Sequence, residues 1–162
     1  MKFQPKSLRQ RALDYLAKRE YSYYELSQKL KPFIEASDVV SDNELSSSEQ
    51  IATILDDFKK RGWLSDARFT EQLIHARQAK FGSAKVANEL REKGVADDLV
   101  AHAVEKLKET ELENALAIWR KKYKDSPQNR EEWAKQARFL QSRGFGFDLI
   151  KKVLNNKFEH DH

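Results

Sequence analysis

A chain without cysteine has no thiolate to offer as nucleophile or metal ligand. Disulfides, thiolate metal sites and cysteine nucleophiles are excluded from these 162 residues, which leave four histidines and 26 carboxylates among the groups to weigh for chemistry. His75 and His102 fall on different predicted helices and read as structural or surface residues. His160-Asp161-His162 reads as a frayed tail rather than a metal site. The sequence has no His-Glu-x-x-His pair, no phosphate-binding glycine loop and no Gly-x-Ser-x-Gly elbow. Its glycines occur singly, where helix capping explains them, and nothing marks a paired general acid and base. The expectation is no catalytic residue, no metal and no cofactor: a protein that works by binding.

Basic residues are the candidates for that binding. Arg68, Arg77, Lys80, Lys85, Arg91 and Lys93 gather in the middle of the chain, and Arg120, Lys121, Lys122, Arg138, Arg143, Lys151 and Lys152 in its last third. Taken singly, each reads as part of a solvated helix face. As a group they are candidates for contact with nucleic acid or a macromolecular partner. Phe81, Tyr123, Phe145 and Phe147 interleave with them, and aromatic rings among cations can stack on bases. Phe139 and Phe145 read as core, and Phe147 should point elsewhere than Phe145. The net charge of +4 says little by itself. Its distribution says more: residues 1–31, 58–94 and 119–162 are net basic, whereas 32–57 and 95–118 are net acidic. Asp38, Asp42, Glu44 and Glu49 read as a solvated acidic loop.

Helices must position these groups. Only 5 Gly and 3 Pro are present, and charged residues make up 35% of the chain, a composition that favours helix over strand. The period of 3.6 predicts a first helix over Ser7–Arg19. Ser22 and Glu25 spell a capping box for a second helix, with Tyr21 and Leu26 as its staple. Pro32 should stop that helix near Leu30. Residues 35–50 read as an exposed loop. A third helix runs from about Ser48 to Arg61 and ends on Gly62. Ser65 caps the next, which reaches about Lys80 before Phe81-Gly82-Ser83 breaks it. Further helices carry Val86 to Leu90, Leu99 to Leu107, Leu112 to Tyr123 and Glu131 to Ser142. The last is predicted over Asp148–Asn155. No apolar run approaches the ~20 residues that span a bilayer, and the N-terminus lacks a signal-peptide core, so a cytoplasmic protein is expected.

One helix–turn–helix junction is written twice. Leu90-Arg91-Glu92-Lys93-Gly94-Val95 and Leu140-Gln141-Ser142-Arg143-Gly144-Phe145 stand fifty residues apart, each followed by an Asp and two apolar residues (Asp98-Leu99-Val100, Asp148-Leu149-Ile150). The cation suits the end of a helix, the glycine takes the left-handed cap, and the Asp suits the start of the next helix. A weaker copy aligns Ser22, Leu26 and Leu30 with Gly82, Val86 and Leu90. The pattern implies repeats in an elongated, curved all-α array: repeat 1 over 1–62 with an acidic Ser-rich insertion at about 35–50, repeat 2 over 63–109, repeat 3 over 110–156, and a tail at 157–162.

The runs Leu16 to Ser22, Gly62 to Phe69, Glu89 to Val95 and Arg138 to Phe145 together resemble the RecX family of regulatory proteins. No single motif is specific, because most are caps and core positions; their order across about residues 8–155 is. Ser65 departs from the family pattern, which has an acidic residue there, and Ser caps a helix equally well. The resemblance implies three tandem three-helix repeats. It also implies a function: binding the RecA recombinase, especially its filament on single-stranded DNA, and inhibiting its ATPase, strand-exchange and co-protease activities in DNA recombination, repair and the SOS response. Some members of the family also bind DNA weakly by themselves; for this chain a monomer, not an enzyme and without a membrane partner, is expected. The other reading of the residues is a stand-alone helix-turn-helix-like DNA-binding protein, since the Gly-turned helix pairs resemble such units.

Overall fold

The structure is a computed structural model, and it describes residues 5–35 and 46–160. Among the described residues the secondary structure is helical throughout, with nine α-helices and no strand. The all-α helical repeat expectation holds. By contact the chain divides into two compact units. One comprises the residues up to Phe69 together with Lys93–Val95. The other comprises Thr70–Glu92 and Ala96 onward.

The first unit holds α1 (Leu8–Lys18), α2 (Tyr23–Glu35) and α3 (Ser47–Lys60). Ala12, Tyr21, Leu26, Leu30, Ile51, Leu55, Phe58 and Leu64 form its core. Ser7 caps α1, accepting from the Gln10 amide at 3.1 Å. The α3 N-terminus is a complete capping box: Ser46 Oγ accepts from the Glu49 amide, and Glu49 returns to the Ser46 amide. The sequence reading missed that box, because Ser46, Ser47 and Ser48 look alike as caps. At the other end Gly62 has φ +76°, and the Trp63 amide reaches back to the Phe58 carbonyl at 2.9 Å. This is the expected left-handed closure.

Helix α2 does not stop at Leu30. It continues through Pro32 to Glu35. Proline removes one backbone donor, but the stripe Leu26, Leu30, Ile34 keeps helical spacing, and Ile34 packs on the unit's core. That burial outweighs one hydrogen bond lost on an exposed last turn. Of the segment 35–50 expected to be a loop, residues 36–45 lie outside the described residues. Glu35 ends α2, and Ser47–Gln50 form the first turn of α3, where Glu49 completes the capping box and is not part of a loop.

The second unit takes in most of α4 (Asp66–Arg77), then α5 (Ser83–Glu92), α6 (Asp97–Lys108), α7 (Glu111–Lys122), α8 (Arg130–Ser142) and α9 (Phe147–His160). Val86, Ala87 and Leu90 on α5 and Val100, Ala103 and Leu107 on α6 are buried. Ala115, Ile118, Trp119, Leu140, Phe145, Ile150, Val153 and Leu154 form the core under α7, α8 and α9. Helix α9 runs to His160, past the expected end at Asn155 and through part of the expected tail. The rest of that tail, Asp161 and His162, lies outside the described residues.

One docking arrangement is built twice, once inside each unit. In the first, the Tyr23 amide at the start of α2 donates to Asp66 Oδ1 at 2.8 Å, and Ser22 Oγ donates to the Lys93 carbonyl at 2.7 Å. In the second, the Ser83 amide at the start of α5 donates to Glu111 Oε1 at 2.9 Å, and the Gly82 amide donates to the Arg143 carbonyl at 2.7 Å. Asp66 and Glu111 are the first residues of their own helices. Each carboxylate therefore sits at its own helix's positive end while satisfying an orphan N–H of another. A glycine turn closes on the same helix start both times. A Cβ on Gly94 would lie 2.5 Å from Tyr24 Cβ, and one on Gly144 would lie 2.5 Å from Lys85 Cβ.

Candidate nucleic-acid interface

The expected basic residues divide into two kinds. Arg68, Arg77 and Lys93 are held by carboxylates. Arg68 Nε donates to Glu20 at 2.9 Å, and Arg77 makes a forked contact with Glu89 at 3.0 Å. Lys93 Nζ donates to Glu25 at 3.0 Å. These three tie helices to neighbouring helices or turns and have little charge left to offer a ligand.

Glu25 shows how firmly. It is 8% exposed and is also gripped by Arg19 at 2.8 and 3.0 Å. Burial alone would raise its pKa, but the hydrogen bonds from Arg19 and Lys93 outweigh burial and hold it below its ordinary 4.5. A lowered carboxylate stabilises the fold above its unfolded pKa and stops doing so as the pH falls through the folded value. Glu25→Gln is therefore expected to cost about 1–2 kcal/mol at neutral pH, a figure held down by the part-exposed partners. It should also flatten the loss of stability below about pH 4.5. Urea denaturation of both proteins at neutral and acid pH measures this.

The other kind lies within the second unit. The last turn of α7 carries Arg120, Lys121 and Lys122, all exposed, where cations suit the negative end of the helix. Lys122 Nζ lies 4.4 Å from the Phe139 ring of α8 and 5.9 Å from that of Tyr123. Arg143, closing α8, has its guanidinium 5.3 Å from Phe139 and 5.8 Å from Phe81. Lys85 Nζ sits 4.5 Å over Phe81 and donates to the Ser142 carbonyl at 3.4 Å. Tyr123 and Phe139 meet edge to face, centroids 5.6 Å apart. Lys85, Phe81, Arg143, Phe139, Lys122 and Tyr123 thus form an unbroken strip of alternating cations and aromatic rings. Contacts of this kind contribute about 0.5–1 kcal/mol each at exposed sites. Their larger effect is to hold the cations in place before any ligand arrives.

Lys151 stands 4.5 Å over Phe147, which is 59% exposed and so points away from buried Phe145. Lys80, Arg91, Arg138 and Lys152 are exposed. Phe139, expected in the core, is half-buried and serves both the core and the strip. Sequence reasoning missed Lys124 and Lys135, which border a recess at one end of the strip. Both left a signal: Lys124 extends the Lys121-Lys122 run, and Lys135 lies one helical turn before Phe139. It also missed Arg9 and Arg61 in the first unit, which flank exposed Trp63 at 5.9 and 5.2 Å and share Asp57. His75 and His102 are exposed, and among the described residues no group of three His, Asp or Glu could hold a metal ion. No described helix is long and apolar enough to cross a membrane.

The family model for the second three-helix domain of RecX matches residues 65–104, and that for the third matches residues 109–154. A regulatory protein RecX from Leptothrix cholodnii is 41% identical over 96% of this chain and 93% of its own length. The chain belongs to the RecX family. The RecX proteins of Chromobacterium violaceum and Ralstonia pickettii are 36% and 33% identical, over 96% and 93% of this chain and 94% and 88% of their own. The fold agrees with a crystal structure of RecX from Lactobacillus salivarius at a TM-score of 0.72, covering 94% of this chain and 95% of that one at 20% identity. The strip falls inside the stretches matched as the second and third RecX domains.

Proposed function

We propose that the chain binds the RecA recombinase on its single-stranded DNA filament and inhibits the filament's ATPase, strand-exchange and co-protease activities. Membership of the RecX family across nearly the whole chain carries this reading. The cation–aromatic strip supports it, since alternating cations and rings suit a flexible strand whose bases are free to stack. The chain acts as a cytoplasmic monomer of three tandem repeats, over 1–62, 63–109 and 110–156, and by binding rather than catalysis. While the strip takes the strand, other faces contact recombinase subunits. A protein that bridges neighbouring subunits opposes the movements that hydrolysis and strand exchange require.

A pull-down against the recombinase tests the partner. Capture should be strongest with single-stranded DNA and nucleotide both present. Capture of duplex DNA in a sequence-dependent way, with no capture of recombinase under any condition, would favour a stand-alone DNA-binding protein.

A further inference from the structure

At the α7 end of the strip lies a recess of about 290 Å³ between the turn after α7 and the first half of α8. Lys122, Lys124, Lys135 and Tyr123 line it. Two polar residues line it although they are almost wholly buried: Ser126 at 8% exposure and Gln136 at 4%.

Gln136 has a fixed orientation. Trp119 Nε1, which can only donate, gives its hydrogen to Gln136 Oε1 at 2.7 Å. The amide nitrogen must then occupy the other position, where it donates to the Asp125 carbonyl over a long 3.4 Å and keeps a second hydrogen. The residues lining the recess thus include a glutamine with a fixed amide donor, a serine and three lysines, a set that suits a ligand made of acceptors. Asp125 and Glu132 also border it. Glu132 Oε2 already accepts from the Gln128 amide at 2.7 Å. Three cations against two carboxylates leave one positive charge, which matches the single negative charge of a phosphodiester better than the near-double charge of a terminal phosphate.

We propose that this recess seats one internal phosphodiester group of a single strand lying along the strip. The proposal rests on the strip being the nucleic-acid face, and the test separates the two. Binding of a fluorescein-labelled oligothymidylate to the full-length protein is followed by anisotropy across a salt series. One seated phosphate contributes about 0.7 to the slope of log K against log salt for single strands. Lys124→Gln combined with Lys135→Gln is expected to lower the slope by about that amount, and Lys85→Gln combined with Arg143→Gln by about twice as much. All four side chains are polar and reach solvent, and glutamine keeps much of each stem, so the fold should survive. An unchanged slope in the recess pair with a lowered slope in the strip pair would overturn the recess assignment and leave the strip standing. Unchanged slopes in both would overturn both. A 5′-phosphate on the probe should alter affinity less than twofold, and a tenfold gain would overturn the assignment to an internal diester.

Discussion

Gly144→Ala is expected to destabilise the protein by about 2–5 kcal/mol, whereas Gly62→Ala should cost only about 1–2 kcal/mol. Both glycines have positive φ, +96° and +76°, so both substitutions meet the left-handed backbone penalty. The difference lies in what surrounds them. Nothing stands within 4 Å of a Cβ on Gly62. A Cβ on Gly144 would lie 2.5 Å from Lys85 Cβ and 2.8 Å from the Lys85 backbone nitrogen. Backbone cannot swing aside, so the turn must lift off the start of α5. That strains the bonds from the Gly82 amide to the Arg143 carbonyl and from the Ala84 amide to the Gly144 carbonyl, 2.7 and 3.2 Å long. Chemical denaturation of the two variants measures the contrast. Equal losses would mean that the glycine turn serves only its own helix and not the docking of another.

The second large effect concerns binding. Lys85→Gln, Lys122→Gln and Arg143→Gln together should lower the salt slope for single-stranded DNA by about 2 and weaken binding roughly 30- to 100-fold at physiological salt. Replacing Arg68 and Arg77 by glutamine should leave that slope unchanged and cost stability instead. Their charges are already matched by Glu20 and Glu89. A loss of slope in that second pair equal to the loss in the strip variant would show that binding follows net charge and not the strip.

That contrast marks where the sequence stopped being readable. Caps and glycine turns were legible because their signals are local: Ser22, Ser65, Gly62, Gly94 and Gly144 close or open helices a few positions away. Pro32 misled because the force that carries α2 past it is the burial of Ile34 against another part of the chain. The basic residues were legible as types but not as roles. Glu20 lies 48 residues before Arg68, and Glu25 lies 68 before Lys93. Helical spacing exposes only pairs three or four apart. The strip is likewise assembled from α5, the turn before it, and α7 and α8 with the residues that close them. Phe139 looked like core because its period is a core period, and only the packing shows one of its faces lying under Lys122 and Arg143. Nothing in the sequence said that Asp66 and Glu111 each also cap a helix other than their own.

The central claim is that the chain restrains a recombinase filament through contacts that include this strip. Its most direct test is the ATPase rate of the recombinase on single-stranded DNA, titrated with the wild-type chain and with the Lys85, Lys122 and Arg143 variant. The rate should fall at or below one chain per filament subunit for the wild type and fall much less for the variant. No inhibition by the wild-type chain at stoichiometric ratios would contradict the account.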